Sequence, residues 1–183
     1  MTNQCWIWVD YMGYQFWTDV NNVPLMLSDV LTIAHTDVTV SVNAVYDTAG
    51  DPIEGVPVFV FSGAGAYQGV NATTDASGRV IFNLPDQEFK VRADYLGRQF
   101  WSETFTSLDV AVDIAHSYAA VQVSDNGAPV TGVNVYLFKD SGAYLGRYEV
   151  TDSEGEASFF IPDGAYKFRV DYDGTQYWSE VVN

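Results

Sequence analysis

A pattern of fifteen residues occurs three times in this chain, and it constrains the fold more than any other feature. The copies read CWIWVDYMGYQFWTD at 5–19, FKVRADYLGRQFWSE at 89–103 and YKFRVDYDGTQYWSE at 166–180. In the central copy Phe89, Val91 and Ala93 alternate with polar residues, which is typical of a strand with one buried face. Gly97 then suits the positive φ of a tight turn, and a second strand follows. The pattern therefore predicts a β-hairpin in each copy, within a protein built from repeats.

Tryptophans mark these hairpins in two different ways. Trp17, Trp101 and Trp178 occupy the same place in the three copies, and we expect them to be core anchors of the repeat rather than stacking platforms for ligand rings. Trp6 and Trp8 occur only in the N-terminal copy, where the other copies have Lys and Arg. They make both faces of that strand apolar, so we expect a second protein surface to cover them.

Two full repeats follow the first hairpin, at 37–116 and 117–183. They align without a gap from Gly55/Gly132 to Glu103/Glu180, at an offset of 77 residues. The full pattern is seven short alternating segments separated by Gly, Pro and Asp turns, of which the second repeat lacks the last, and no segment has a helical period. This predicts an all-β protein of two tandem seven-stranded, immunoglobulin-like (prealbumin-like) sandwiches. Residues 1–36 hold only a hairpin and the segment 25–35, which we interpret as a partial repeat.

Several short motifs lie in the predicted turns and strands. They are GVPVFVF at 55–61, TDxxG at 74–78 and 151–155, LPD at 84–86, and IPDGAY at 161–166. Both full repeats resemble the carboxypeptidase regulatory-like or prealbumin-like repeats of bacterial surface and secreted proteins. The resemblance implies a cell-surface or extracellular location. The B-type repeats of collagen adhesins are also similar, but the opening strands 38–45 and 119–124 lack the lysine that forms a crosslink in some of them.

Composition excludes several kinds of partner. The formal net charge is −16, from 24 acidic and 8 basic residues, which repels a nucleic acid backbone or an anionic bilayer. No apolar run approaches the roughly 20 residues of a membrane span. Cys5 is the only cysteine, so the chain forms no internal disulfide. We therefore expect no nucleic acid partner and no membrane insertion.

The incomplete repeats at the two ends are complementary. The second repeat has no counterpart of the last strand of the first, 109–116, whereas the N-terminal segment carries a spare one at 25–35. A sandwich that lacks an edge strand can accept one from another chain. We therefore expect a pilus-like filament, a head-to-tail homopolymer assembled by donor-strand complementation. The interface residues expected are Trp6, Trp8, Leu25, Leu27, Leu31 and Ile33.

Two other interpretations remain open at this point. The chain can be a piece of a longer surface array, a stalk or adhesin with its own receptor. It can also be a carbohydrate-binding module, in which Tyr67, Tyr144, Trp6 and Trp8 stack on a glycan.

Residues with the spacing of a catalytic site are missing from the sequence, so we expect a protein that is not an enzyme. His35 and His116 both follow Ile-Ala, and repeat symmetry explains them as structural residues. No cofactor is expected, although calcium remains open at the turns of Asp47, Asp75, Asp125 and Asp152, which lack the ligand ladder of an EF-hand.

Overall fold

The computed structural model describes residues 4–5, 7–18, 21–22, 31–47, 49–106 and 108–183, and these residues form strands and turns. The prediction of an all-β protein is confirmed. Within this described part, no helix is long and apolar enough to cross a membrane.

The strands follow the three segments of the sequence. The N-terminal segment contains β1 (Gln4–Cys5), β2 (Trp8–Tyr11), β3 (Tyr14–Trp17) and β4 (Asn21–Asn22). The next segment contains β5 (His35–Tyr46), β6 (Ala49–Pro52), β7 (Pro57–Ser62), β8 (Tyr67–Thr73), β9 (Arg79–Pro85), β10 (Phe89–Tyr95), β11 (Arg98–Trp101) and β12 (Asp109–Gln122). The last contains β13 (Ser124–Asp125), β14 (Ala128–Pro129), β15 (Asn134–Lys139), β16 (Tyr144–Val150), β17 (Glu156–Pro162), β18 (Tyr166–Tyr172) and β19 (Thr175–Trp178).

The first of two compact units comprises residues 1–43, 52–95 and 99–112. Its four-stranded sheet has the order β11-β10-β7-β8, while β5 pairs with β9 and also neighbours β12. The inward positions of these strands are fully buried, with Val40, Val42, Val58, Val60 and Val91 all 0% exposed. Because strands of both sheets contribute to this core, the unit is a β-sandwich.

The second unit comprises residues 44–51, 96–98 and 113–183. Its four-stranded sheet has the order β16-β15-β18-β19, and the register of β17 with β12 extends from His116 to Gln122. Val135 and Leu137 of β15, Phe159 of β17, and Phe168 and Val170 of β18 pack in one buried cluster. The second unit therefore repeats the sandwich of the first.

Strand β12 differs from the sequence interpretation, which ended one repeat at His116 and began the next at Ser117. The strand instead continues without a break from Asp109 to Gln122. The buried side chains are at even positions up to His116, and the more buried ones are at odd positions from Ala119 onward. Because the buried positions shift from even to odd residue numbers, the alternation of apolar and polar residues is interrupted near residue 117. This interruption is why the sequence pattern predicted a boundary between two repeats there. The turn expected at 47–52 likewise contains the short strand β6.

Candidate assembly site

The N-terminal hairpin has the same internal hydrogen bonds as its two relatives. The Thr18 N–H donates to the Ile7 carbonyl at 2.8 Å, and the Ile7 N–H donates to Thr18 Oγ1 at 3.2 Å. The equivalent pairs, with both bonds between 2.9 and 3.0 Å, are Ser102 with Val91 and Ser179 with Phe168. The three copies therefore fold alike, and differences in their surroundings are informative.

Burial distinguishes the N-terminal hairpin from the others. Ile7 and Val9 are 43% and 41% exposed, whereas Val91 and Ala93, at the same positions of β10, are 0% exposed. Trp8 on the opposite face is 48% exposed. Both faces of β2 are thus open and apolar, which is the condition expected of a strand that meets another protein surface.

The repeated tryptophans do not lie in the core, which corrects the expectation that they are core anchors. Trp17, Trp101 and Trp178 are 49%, 47% and 47% exposed. The hairpin register is the reason, because it places Trp178 opposite Arg169 on the outward face, as it places Trp17 opposite Trp8. On that face the Trp178 ring packs at 4.7 Å from the ring of Phe138, and the Arg169 guanidinium lies 5.7 Å from the Trp178 ring centroid.

The other expected interface residues divide into two groups. Trp6, Leu25 and Leu27 lie outside the residues whose side chains the structure describes. Leu31 and Ile33 are half-buried and precede β5 in a stretch, 31–34, that is not part of a strand. Of the predicted strand 25–35, only His35 therefore lies in a strand among the residues described.

Tyr14 attaches the tip of the N-terminal hairpin to the first unit. Its hydroxyl donates to the carbonyl of Glu88 and accepts a hydrogen bond from the Gly63 N–H at 3.0 Å. Its ring meets the edge of Phe89 at a centroid distance of 5.6 Å. On the other side of the turn, Tyr11, which pairs with Tyr14, meets His35 edge to face at a centroid distance of 5.5 Å. Tyr14 carries no repeat signal in the sequence, because the other copies have Arg98 and Thr175 at this position.

An open cleft follows β12 in the second unit. One part, of about 690 Å³, is lined by residues 117–122 of β12 together with Tyr166, Phe168 and Val182. A second part, of about 480 Å³, continues along β12 to Asp125 and reaches Val170 and Trp178. The two parts share Val121, Gln122, Phe168 and Ser179, so they form one groove. We call it the β12 groove.

The equivalent strand of the first unit, β5, is more deeply buried than the strand that lines this groove. Val38, Val40 and Val42 of β5 are 7%, 0% and 0% exposed, whereas the equivalent residues of the second unit, Ala119, Val121 and Val123, are only partly buried. In the first unit, β12 begins beside β5, and the Thr39 N–H donates to the Leu108 carbonyl at 2.7 Å. Strand 109–115 therefore covers an edge that is open in the second unit.

A matching pair outside these strands supports this comparison. Phe105 and Val182 occupy equivalent positions. Phe105 exchanges two backbone hydrogen bonds with Phe89, the first residue of β10, and Val182 does the same with Tyr166, the first residue of β18. Phe105 is 9% exposed, whereas Val182 is 46% exposed at the wall of the β12 groove. The groove thus exposes apolar side chains whose counterparts are buried.

Two of the four aspartates considered for calcium, Asp75 and Asp152, use their carboxylates within their own turns. Asp75 Oδ1 accepts hydrogen bonds from the N–H groups of Ser77 and Arg79, at 2.8 and 3.0 Å. Asp152 repeats this arrangement, and its backbone N–H donors lower the pKa of its carboxyl group. Nowhere in the described ranges do three His, Cys, Asp or Glu residues gather as metal ligands would.

The two histidines are equivalent in geometry as well as in sequence. Nδ1–H of His116 donates to the Ile114 carbonyl at 2.8 Å, and that of His35 donates to the Ile33 carbonyl at 3.0 Å. His116 is 3% exposed, and burial lowers the pKa of its ring. In each case the ring bonds the backbone carbonyl two residues earlier, so both histidines have a structural role in their strands.

No protein-family model and no curated protein sequence matches this chain. Among solved structures, it is similar to the minor pilin GBS52 of Streptococcus agalactiae, with 16% identity, a TM-score of 0.39 and coverage of 80% of this chain and 90% of that one. It is similar to the shaft pilin SpaA of Lactobacillus rhamnosus GG at 12% identity and TM-score 0.39, over 80% and 93% of the two chains. A B repeat unit of the collagen-binding surface protein of Staphylococcus aureus matches at 15% identity and TM-score 0.29, over 74% and 84%.

Proposed function

We propose that this chain is a non-enzymatic structural protein of the cell surface or extracellular space. In this proposal it forms a pilus-like filament in which each copy donates a strand to the next. The observation that carries the proposal is the β12 groove, which lies in the second repeat at the place that strand 109–115 fills in the first repeat. An apolar groove along an open strand edge can bind an extended segment through backbone hydrogen bonds and side-chain pockets.

The donor segment is 27–35, which matches 108–116 residue by residue. Ile33 takes the place of Ile114, Leu31 that of Val112 and Leu27 that of Leu108. Val112 and Ile114 of the first repeat are 3% and 0% exposed, so this strand pattern is suited to fill such an edge. Among the positions that face inward in 108–116, one loses its apolar character, since Asp29 stands where the first repeat has Val110.

Continuity of the backbone favours a second copy as the source of the donor. In the first repeat, strand 109–115 continues without a break into residues 116–122, which form the first strand of the following repeat. Segment 27–34 likewise runs directly into β5, which opens the first repeat of its own chain. A donated strand therefore joins the second repeat of one copy to the first repeat of the next, in the same manner as the two repeats within a chain. Such a heterologous contact leaves one groove and one donor free, and it propagates into a filament.

The test is negative-stain electron microscopy and sedimentation of the full chain beside a truncated chain that starts at Asp37. We expect filaments only from the full chain. A synthetic peptide of residues 25–36 should bind the truncated chain and stop elongation of the full chain, whereas a peptide with the same residues in scrambled order should do neither. Filaments from the truncated chain would contradict the proposal. Monodisperse particles from both chains would favour a piece of a longer surface array instead.

A glycan-binding face is a second candidate, and exposed aromatic rows on the two outer sheets favour it. Tyr67 and Trp101, both 47% exposed, flank Phe61 at centroid distances of 5.4 and 4.7 Å. Tyr144 and Trp178 flank Phe138 in the second unit at 5.2 and 4.7 Å. Exposed aromatic faces of this kind can stack on sugar rings. A monomer whose tryptophan fluorescence changes on titration with glycans would support this function over the filament.

A further inference from the structure

The three hairpins end in the same kind of tip. The two central residues of each turn have positive φ, with values of 49° and 79° at Met12–Gly13, 44° and 69° at Leu96–Gly97, and 48° and 73° at Asp173–Gly174. This is the two-residue hairpin turn in which both central residues are left-handed. Because the tips have one geometry, their surroundings can be compared directly.

The first two tips pack against equivalent residues. A Cβ on Gly13 would lie 3.4 Å from Cβ of Ser62 and 3.2 Å from the amide of Gln68. A Cβ on Gly97 would meet Lys139 and Leu145, which are the counterparts of Ser62 and Gln68 at the offset of 77 residues. The N-terminal hairpin therefore meets the first repeat as the tip 96–98 meets the second.

The residue that follows each tip completes the same contact. Arg98 donates from Nη2 to the Ala165 carbonyl at 3.2 Å, and its guanidinium lies 5.1 Å from the ring centroid of Tyr166. Tyr14 binds the carbonyl of Glu88 and the ring of Phe89, which are the counterparts of Ala165 and Tyr166. We call the surface formed by Ser62, Gly63, Gln68, Glu88 and Phe89 the junction surface.

The third tip has no such partner among the described residues. Space around Gly174 is open, with no atom within 4 Å of an added Cβ, and Asp173 and Thr175 are exposed. A tip with the geometry of a docked hairpin is thus free in the second unit, whereas the junction surface of the first unit is occupied by the hairpin of its own chain.

We infer that the N-terminal hairpin β2–β3 is a latch. It covers, within its own chain, the junction surface on which tip 173–175 of a second copy docks during assembly. This inference rests on the filament proposed above. When a donated strand fills the β12 groove of one copy, tip 173–175 of that copy is expected to reach the junction surface of the copy that donates the strand. The expected contact is equivalent to the one that tip 96–98 makes with Lys139, Leu145 and Ala165. Both hairpins cannot occupy that surface, so the latch must leave before a copy is added.

Burial indicates which hairpin leaves. β18 lies between β15 and β19, and its Phe168 and Val170 are 3% and 7% exposed in the core of the second unit. Every residue of β2 is exposed. Among the described residues, Tyr14, Tyr11 and the Gly13 tip make the contacts that hold the N-terminal hairpin, and none of its strands is buried in the core; β18–β19 cannot detach without opening a core.

A reversible disulfide can test this inference. In a Cys5→Ser background, Gly13→Cys and Ser62→Cys place two sulfurs on Cβ positions 3.4 Å apart, close to the roughly 3.5–4.5 Å of disulfides. We expect the oxidised protein to stay monomeric and to form filaments again on reduction. The two single variants are the controls, and they should assemble with or without reductant.

Tyr14→Phe is the second variant, and it covers the case in which the double variant does not fold. It removes two hydrogen bonds that hold the latch, so filament growth should accelerate, by up to about tenfold. Tyr148→Phe, on an exposed strand of the second unit, is the matched control and should not change the rate.

The outcomes separate the latch from the filament. If the oxidised double variant assembles, or Tyr14→Phe does not accelerate growth, while the chain starting at Asp37 remains monomeric, the latch is refuted and the donated strand stands. If the full chain forms no filaments under any condition, both are refuted. Thr175→Arg, which copies Arg98, should further strengthen docking, and failure to do so would count against the junction surface as its partner.

Discussion

Ile33 and Ile114 occupy the same position of the repeat but have opposite environments. Ile114 is 0% exposed inside its own chain, whereas Ile33 is only half-buried. Replacement of either by alanine should therefore act on a different equilibrium. Ile114→Ala should lower the free energy of unfolding of the monomer by about 2–5 kcal/mol, the usual cost of such a cavity. Ile33→Ala should lower it by less than about 1 kcal/mol.

Association between copies should show the reverse order. If Ile33 becomes buried in the β12 groove of another copy, its loss removes about 2–3 kcal/mol of burial, which weakens the dissociation constant roughly 30- to 150-fold. Ile114→Ala should change association little, because its strand is already in place.

Two measurements on the same samples decide the matter. Urea unfolding at low protein concentration gives the stability of the monomer, and sedimentation across a concentration series gives the association constant. Equal losses of monomer stability in the two variants would mean that Ile33 packs inside its own chain, and the reasoning about the donated strand would then be wrong.

Three further predictions concern the folded chain. Gly155→Ala should destabilise the protein by at least about 1 kcal/mol more than Gly127→Ala in urea unfolding, because both have positive φ but only the Cβ at 155 lies 2.5 Å from the Val123 carbonyl oxygen. Burial lowers the pKa of His116, so the unfolded chain binds its proton more readily; stability should fall as the pH drops below about 6.5, by at most about 1.4 kcal/mol per pH unit, and His116→Gln should reduce this slope. Arg92→Ala should cost about 1–2 kcal/mol of unfolding free energy, because the guanidinium lies 4.8 Å from the Phe59 ring centroid and pairs with Asp94; Arg79→Ala is an exposed control.

Alternation and turn residues were sufficient to predict most of the fold. The three hairpins were recognised because their glycines fall where the turn needs positive φ. The prediction that the repeated tryptophans lie in the core was wrong, because it relied on their repetition and not on the pairing register of the hairpin strands. A two-residue turn at Leu96–Gly97 sets Trp101 opposite Arg92, on the polar face, and this signal was present in the sequence.

The candidate site could be predicted only in part. The repeat alignment predicted an open strand edge in the second repeat, and the β12 groove lies at that edge, whereas the donor segment 25–35 stays a prediction. The docking of Tyr14 was not predicted, because a tip's partners depend on contacts between distant residues such as Gly63 and Glu88. Equivalent tips also differ in chemistry, with Tyr14, Arg98 and Thr175 at one position, so no pattern marks the surface they meet.

Strand β12 has a consequence for how the protein melts. Its residues 109–112 belong to one compact unit and its residues 113–122 to the other. If one unit unfolds, β12 loses its neighbouring strands there, and the part of β12 in the other unit is expected to become less stable. The free energy of the shared strand couples the two sandwiches as neighbours in a one-dimensional array, so heating should unfold them in one transition rather than two.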